Sequence, residues 1–395
     1  MCVDAENILK AANELEPQII ADRRELHSHP EVGKCLPRTK EFVKRRLCEI
    51  GYEPQEICES GIVATVGNGG KCVLLRADMD ALRIDEKTEL EFRSTDGSMH
   101  ACGHDMHTAM LLGAAEILMK NKDKLGGTVK LVFQPDEEGF TGAKTMLKSG
   151  VLNSPEPDIG FALHVNSGTP SGMLLCGRGV FMAGCTLFRI TVSGKGCHGA
   201  MPETGVDPIN IAAHIHLALQ EIVSREVGAK TPAVVTVGKF TAGEAPNIIP
   251  QTAVLEGTIR TFDRELSAKI FERIGEISRS TAEMFRGTAS VTEISSAPPL
   301  VNDAELVNTT AGYAKELFGD EAVVVLDGGG MGSEDFASYT YEFPCAYLLI
   351  GAGTKEENSL FGQPMHNEKV VFDENILAKG AALHAYVALK YLNKD

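Results

Sequence analysis

The sequence lacks any excess of basic residues. Against 54 Asp and Glu stand 38 Lys and Arg, a formal charge of −16. A body of that sign repels phosphate backbones, so nucleic acid is not expected as a partner. Nor is there an apolar run of the roughly 18 residues that a membrane helix needs. The first 24 residues carry Asp4, Glu6, Glu14 and Glu16 where a signal peptide would carry a basic and then an apolar stretch. No membrane contact is expected, and a cytoplasmic location is. The ten cysteines run from Cys2 to Cys345 without framework spacing, and a reducing compartment would leave them as thiols. Glycine (40) and proline (17) are too few for a low-complexity chain, and no internal repeat is visible.

What is present is a chain of 395 residues, 43% hydrophobic and 23% charged, enough for two domains or one large one with ample core. Residues 7–27 have a helical rhythm with Pro17 near the middle. KCVLLRA (71–77), TVKLVFQ (128–134) and IGFALHV (159–165) read as short buried strands, with an apolar-striped helix over 108–124 between the first two. That alternation predicts an α/β fold with a mainly parallel sheet.

The rhythm changes near residue 185. Strand, helix (206–227), two strands, helix (264–287) and strand form an α+β unit, after which AVVVLDGGG, CAYLLIGAG and a closing helix over 373–392 resume the first pattern. The division is therefore a first part over 1–184, an inserted α+β domain over 185–296 and a second part over 297–395.

Polar residues gather where the strands end. Strand 71–77 runs into Asp78, Asp80 and Asp85, strand 128–134 into Asp136, Glu137 and Glu138, and strand 159–163 into His164. Ligands of open α/β sheets bind beyond the carboxyl ends of strands, so these side chains are expected to converge on one crevice. The segment MHACGHDMHTAM adds Cys102, His104 and their neighbours, and His198 and His366 stand beside glycine or proline on loops. Thiol, imidazole and carboxylate together read as a metal site. Two adjacent glutamates on an extended segment would point to opposite sides, one to hold the metal and one free for proton transfer. The chemistry that fits is hydrolysis by a metal-activated water.

The motifs LHSHPEVG, RADMDAL, MHACGHDMHTAMLLGAA, FQPDEEGFTGAKTM, ALHV, GKGCHGAMPETGVDPI, GEAPNIIP, GSEDFASY and PMHNE follow in order over residues 17–390. In these the chain resembles the N-acyl amino acid amidohydrolases, a group with hippurate hydrolase and the plant auxin-conjugate hydrolases, related to aminoacylase and the dinuclear zinc carboxypeptidases. The resemblance implies a metallopeptidase-like catalytic domain with an inserted lid and dimerisation domain. It further implies that Cys102, His104, Glu138, His164 and His366 hold one or two divalent metals, the Cys102 thiolate bridging. Glu137 would be general base and acid, and Asp80 a carboxylate that orients a ligand histidine. His198 would donate to the substrate's carbonyl oxygen, while Asn247 and Arg260, brought together by a hairpin, would grip its carboxylate. Glu334 and Asp335 are read as ordering the loop near His366.

Two departures stand out. The zinc carboxypeptidases place His-x-Asp where this chain has Asp78-Met79-Asp80, and Asp where it has Cys102, so manganese, cobalt, nickel and zinc all stay open. The family's DALP is DALR here, which sets Arg83 near the pocket edge. The expected activity is cleavage of small N-acyl amino acids to a carboxylic acid and a free amino acid, in a homodimer or higher homo-oligomer. A dipeptidase or carboxypeptidase using the same metals is the alternative. A cysteine nucleophile at Cys102 would leave Glu137, Glu138, His164 and His366 without a task. A catalytically dead scaffold would have no use for the complete set of ligands and base.

Overall fold

The computed structural model describes residues 4–394. Cys2 lies outside the described residues, and the nine other cysteines are free thiols. The chain forms two compact units. One runs to Phe181 and resumes over Val301–Gly329 and from Asp335, and the other comprises Met182–Leu300 and Gly330–Glu334.

The first unit is built on a nine-stranded mixed sheet. Its centre is parallel, in the order Thr128–Gln134, Cys72–Asp78, Ile159–Asn166 and Cys345–Gly351. Every residue of Cys72–Asp78 and of Thr128–Gln134 is buried, which is why these runs are apolar throughout and do not alternate. Antiparallel strands flank this centre, Gly61–Gly67 on one side and Leu174–Met182 on the other. Helices Ala5–His27, His104–Lys120 and Leu377–Leu392 pack on one another within the unit's hydrophobic core. Pro17 is tolerated inside the first of these.

The second helix differs from the sequence reading in a way that matters for the site. It starts at His104, not at residue 108, because Gly103 takes a left-handed φ of 83° and lets the chain turn directly into the helix. His104 and His107 thereby leave the loop for the first turn. Since the central strands are parallel, the segments after Asp78 and Gln134 emerge at the edge where Ile159–Asn166 ends. This third strand runs past Leu163, so His164 lies inside it and not after it, and the polar residues of all three meet there.

The second unit is an antiparallel sheet in the order Thr288–Ala297, Gly184–Ser193, Thr252–Thr261, Ala233–Ala242. Helices Pro208–Ala218 and Arg264–Met284 close its own core, formed by Phe188, Ile190, Ile211, Leu255 and Ile274 among others. The former is capped by Asp207, with Pro208 at its first position. Its α-helical part ends at Ala218, short of residue 227, and the chain continues through a π-helical turn over Ile222–Glu226. A two-residue strand pair sets His198 opposite Ile248.

Candidate metal centre

Five side chains from four segments meet at the sheet edge of the first unit. His104 donates from Nδ1 to the main-chain carbonyl of Asp80 at 2.8 Å, and His164 from Nδ1 to the carbonyl of Val165 at 2.6 Å. Each hydrogen bond fixes Nδ1 as a donor and leaves Nε2 as the nitrogen a metal could take. Nε2 of His164 stands 3.5 Å from Cys102 Sγ, and Nε2 of His366 lies 3.3 Å from the same sulfur and 3.2 Å from Glu138 Oε1. Donor atoms of Cys102, His104 and His164 fall within 4.8 Å of one another, as do those of Cys102, Glu138 and His366, and of His104, Glu137 and Glu138. Cys102 is common to the first two triads. His366 is braced by backbone as well. It has a left-handed φ of 63°, strained for a non-glycine, and its N–H donates to Ala101 at 3.0 Å.

The acidic pair is held differently from the sequence reading. Residues 137–140 form a turn, not an extended segment, so alternation along a strand does not separate the two carboxylates. Asp80 organises them instead: its two oxygens accept the N–H groups of Glu137 and Glu138 at 2.9 and 3.1 Å. The Asp80 carboxylate is thus spent on the turn, and its carbonyl is what orients His104. Glu137 is 4% exposed and accepts the N–H of Asp335 at 3.1 Å. Asp335 therefore lies against Glu137, not merely in a loop beside His366.

The pocket's own electrostatics ask for a cation. Burial, followed by the carboxylates of Glu138, Glu137 and Asp78, pushes the Cys102 thiol well above its ordinary range. Burial opposes charge on His104, yet Asp78 and Asp80 lift it to about 10. Burial and the neighbouring His107 hold His164 well below the usual imidazole value. His104 Nε2 is buried with no hydrogen-bond partner. A divalent ion would take that lone pair, stabilise the thiolate and displace the protons. Sulfur, nitrogen and oxygen donors in these triads fit one or two such ions, and no single metal is selected by them.

Comparison with known proteins agrees with this geometry. The model of peptidase family M20/M25/M40 matches residues 74–390. The chain belongs to that family. As a member of family M20 it is a hydrolase of amide bonds, and its donor set is that of a metal-dependent enzyme. It is 36% identical to a hippurate hydrolase of Campylobacter jejuni, over 98% of this chain and 100% of that one. To a thermostable carboxypeptidase of Saccharolobus solfataricus it is 35% identical, over 98% and 99%. A solved dinuclear metal-binding M20 peptidase of Bacillus subtilis superimposes with a TM-score of 0.78 at 31% identity, covering 97% of this chain and 100% of that one.

The remaining expected residues lie in the second unit. His198 and Asn247 are both exposed and adjacent, the carbonyl of Asn247 accepting the N–H of Gly199 at 2.8 Å. Strands Ala233–Ala242 and Thr252–Thr261 do form a hairpin, with Asn247 in its connecting loop, but Arg260 lies at the opposite end. It pairs with Cys185 and Val234 near the far end of strand Thr252–Thr261, and eight residues of extended chain span about 27 Å. Its Nη1 donates to the carbonyl of Met331 and to Ser333 Oγ, both at 2.9 Å.

Sequence reading passed over Arg76 and Gln134, which form a buried polar layer beneath the site with Asp78 and Asp335. One signal was available. A charged residue inside a strand that is otherwise apolar on both faces has to be paired, and Arg76 sits in such a strand.

Proposed function

We propose that this protein is a metal-dependent amidohydrolase that cleaves small N-acyl amino acids to a carboxylic acid and a free amino acid. The observation that carries the reading is the meeting of the Cys102 thiol, the Nε2 lone pairs of His104, His164 and His366 and the Glu138 carboxylate, with Glu137 beside them. When bound by these five residues, divalent ions acidify water and polarise the scissile carbonyl.

The chain's own residues then divide the work. Glu137, buried and tied by one oxygen to the Asp335 N–H, accepts a proton from the attacking water and returns it to the leaving nitrogen. Asp80 keeps Glu137 and Glu138 in register by holding both of their N–H groups. His198 donates to the carbonyl oxygen as charge develops on it. Asn247 and Arg260 are the contacts proposed for the substrate carboxylate. Within one unit the length of strand Thr252–Thr261 separates them, so both reach one carboxylate only when a partner copy supplies Asn247.

The inserted unit acts as lid and as the contact of a homodimer or higher homo-oligomer. Supporting this are the exposed apolar residues Met201, Leu217, Phe240, Ile248 and Met284, which a partner copy would cover. The free thiols suit a cytoplasmic location. Identity to a carboxypeptidase favours a second reading in which peptides are the substrates.

The deciding experiment is a hydrolysis screen of N-acetyl, N-benzoyl and longer N-acyl amino acids beside dipeptides, with chelated protein and protein reconstituted with Mn²⁺, Co²⁺, Ni²⁺ or Zn²⁺. Turnover of acyl amino acids only in reconstituted protein is expected. Preference for dipeptides would move the assignment to a peptidase, and no turnover with any metal would end it.

A further inference from the structure

Arg76 is 2% exposed in a strand with no exposed residue, where a charge is costly unless fully paired. Its guanidinium is used in three directions. Nε donates to Gln134 Oε1 at 3.2 Å, Nη1 to Asp78 Oδ2 at 2.7 Å and Nη2 to Asp335 Oδ1 at 3.0 Å.

Two chains of contact leave this centre. Along the first, Asp78 Oδ1 meets His107 Nδ1 at 2.6 Å, and His107 Nε2 accepts the N–H of Val165 at 2.9 Å. A backbone N–H only donates, so His107 Nε2 is unprotonated and Nδ1 carries the hydrogen given to Asp78. With both nitrogens engaged, His107 is not a metal ligand. Val165, held by His107 at its N–H, offers the carbonyl of its next peptide to His164 Nδ1, which aims His164 Nε2 towards Cys102. Along the second, the Asp335 carboxylate takes Arg76 and Gln134 Nε2 (2.6 Å) on one oxygen and the N–H of Ala143 (2.8 Å) on the other. This anchors the first residue of the short helix Asp335–Tyr341, and its N–H holds Glu137 Oε1.

We propose that Arg76 is a positioning residue that sets the ligand His164 and the base Glu137 together, one through Asp78 and His107 and the other through Asp335. The inference rests on the roles given to His164 and Glu137 above. Lysine could not replace it, because an ammonium is a point donor while the planar fork reaches three acceptors in fixed directions. Neither could asparagine replace Asp335. Arg76 Nη2 and Gln134 Nε2 donate to one of its oxygens and the N–H of Ala143 to the other, so an amide nitrogen meets a donor whichever way it turns.

Three variants test this, each checked for fold by thermal melting of the metal-free protein. Cobalt affinity is read from the cobalt–thiolate absorption on titrating metal-free protein with Co²⁺, and kcat and KM from cobalt-loaded protein. His107→Asn keeps a donor for Asp78 and loses the acceptor for Val165, so cobalt affinity should fall 10- to 100-fold, the range found when partners of ligand histidines are removed. Asp335→Asn should leave cobalt affinity within threefold and lower kcat about 10²-fold at little-changed KM, as expected for a displaced catalytic group. Arg76→Lys should show both losses. A folded Arg76→Lys with both quantities within threefold of wild type would make Arg76 a brace of the core and overturn the proposal. Should that variant not fold, the proposal falls if His107→Asn binds cobalt normally or Asp335→Asn turns over normally. Failure of the wild type to cleave any acyl amino acid would refute the functional reading separately, because the cobalt titration of His107→Asn does not depend on substrate.

Discussion

The two units treat polar residues in opposite ways. In the first, Arg76, Asp78, Asp80, Asp105 and Lys130 are each no more than 2% exposed, and each is tied to partners that compensate for lost hydration. In the second, strands Ala233–Ala242 and Thr288–Ala297 keep one face in solvent, the core cluster is hydrophobic, and His198, in a minor strand pair, and Asn247, just before that pair's other strand, stand exposed. A side chain whose charge is paired within its own unit has its function built into the fold. One that its unit leaves uncommitted is available to whatever binds there.

The largest expected effect tests the buried half of that contrast. Chelation should abolish activity and Mn²⁺ or Co²⁺ restore it, whereas an enzyme using a cysteine nucleophile would be indifferent to chelation and sensitive to alkylation. Glu137→Gln should keep metal and fold yet lose about 10³-fold in kcat, since the amide is the right size but cannot take a proton. Near-normal turnover in that variant would remove Glu137 from its role. His198→Ala should be nearly as damaging with the metal content unchanged, although His198 is exposed. If it retained most of its activity, the uncommitted residues of the second unit would have no part in catalysis.

Much of the metal site was legible because parallel topology brings strand ends together whatever lies between them. Asp80 and Glu137 follow strands recognisable by their apolar runs and His164 lies near the end of a third, so the convergence of their segments could be stated from the sequence. Asp335 was not legible as a partner of Glu137, since 198 residues separate them and no periodicity links them. Nor was the turn over 137–140, because its geometry is imposed by Asp80 from another segment. In the second unit the elements were readable and the placement of Arg260 was not. Asn247 after a proline and Arg260 ending a β-like run thirteen residues on suggested a hairpin with both on one face. The hairpin that forms has Asn247 in its loop, where Ile248–Ile249 pairs with Cys197–His198, and Arg260 at its other end.

A smaller effect concerns stability. Lys130 lies in a central strand and its Nζ donates to the carbonyls of Val151, Asn153 and Pro155 at 2.8, 2.8 and 2.6 Å. Lys130→Met should cost about 3 kcal/mol, because the stem's burial is kept while three carbonyls lose a charged donor. Denaturant unfolding measures this, and a loss below about 1 kcal/mol would mean that water replaces the ammonium.

A further cost appears only in acid. Burial, with His107 nearby, pushes His384 down to about 3 from 6.5. The unfolded chain takes up a proton below pH 6.5 while the folded one does not, so stability falls as pH drops from 6.5 towards 3. At pH 5 this single group accounts for about 2 kcal/mol. His384→Leu, similar in volume, should lose about that much less than wild type between pH 7 and pH 5. Equal losses in the two proteins would show that His384 is already solvated.

The smallest expected effect probes the residue that fits neither half of the contrast. Arg260 is partly buried, and its Nη1 is engaged by Met331 and Ser333 within its own unit, yet a guanidinium has five N–H donors and the others remain for a carboxylate. Arg260→Lys should raise KM for N-acyl amino acids about tenfold, some 1.4 kcal/mol, because a lysine cannot serve the loop and grip a carboxylate bidentately at once. Amides or esters of the same compounds, lacking the carboxylate, should be poor substrates of the wild type and indifferent to the change. Equal losses on charged and neutral substrates would place Arg260 with the committed residues, as a support of the segment Gly330–Glu334 that does not read the substrate.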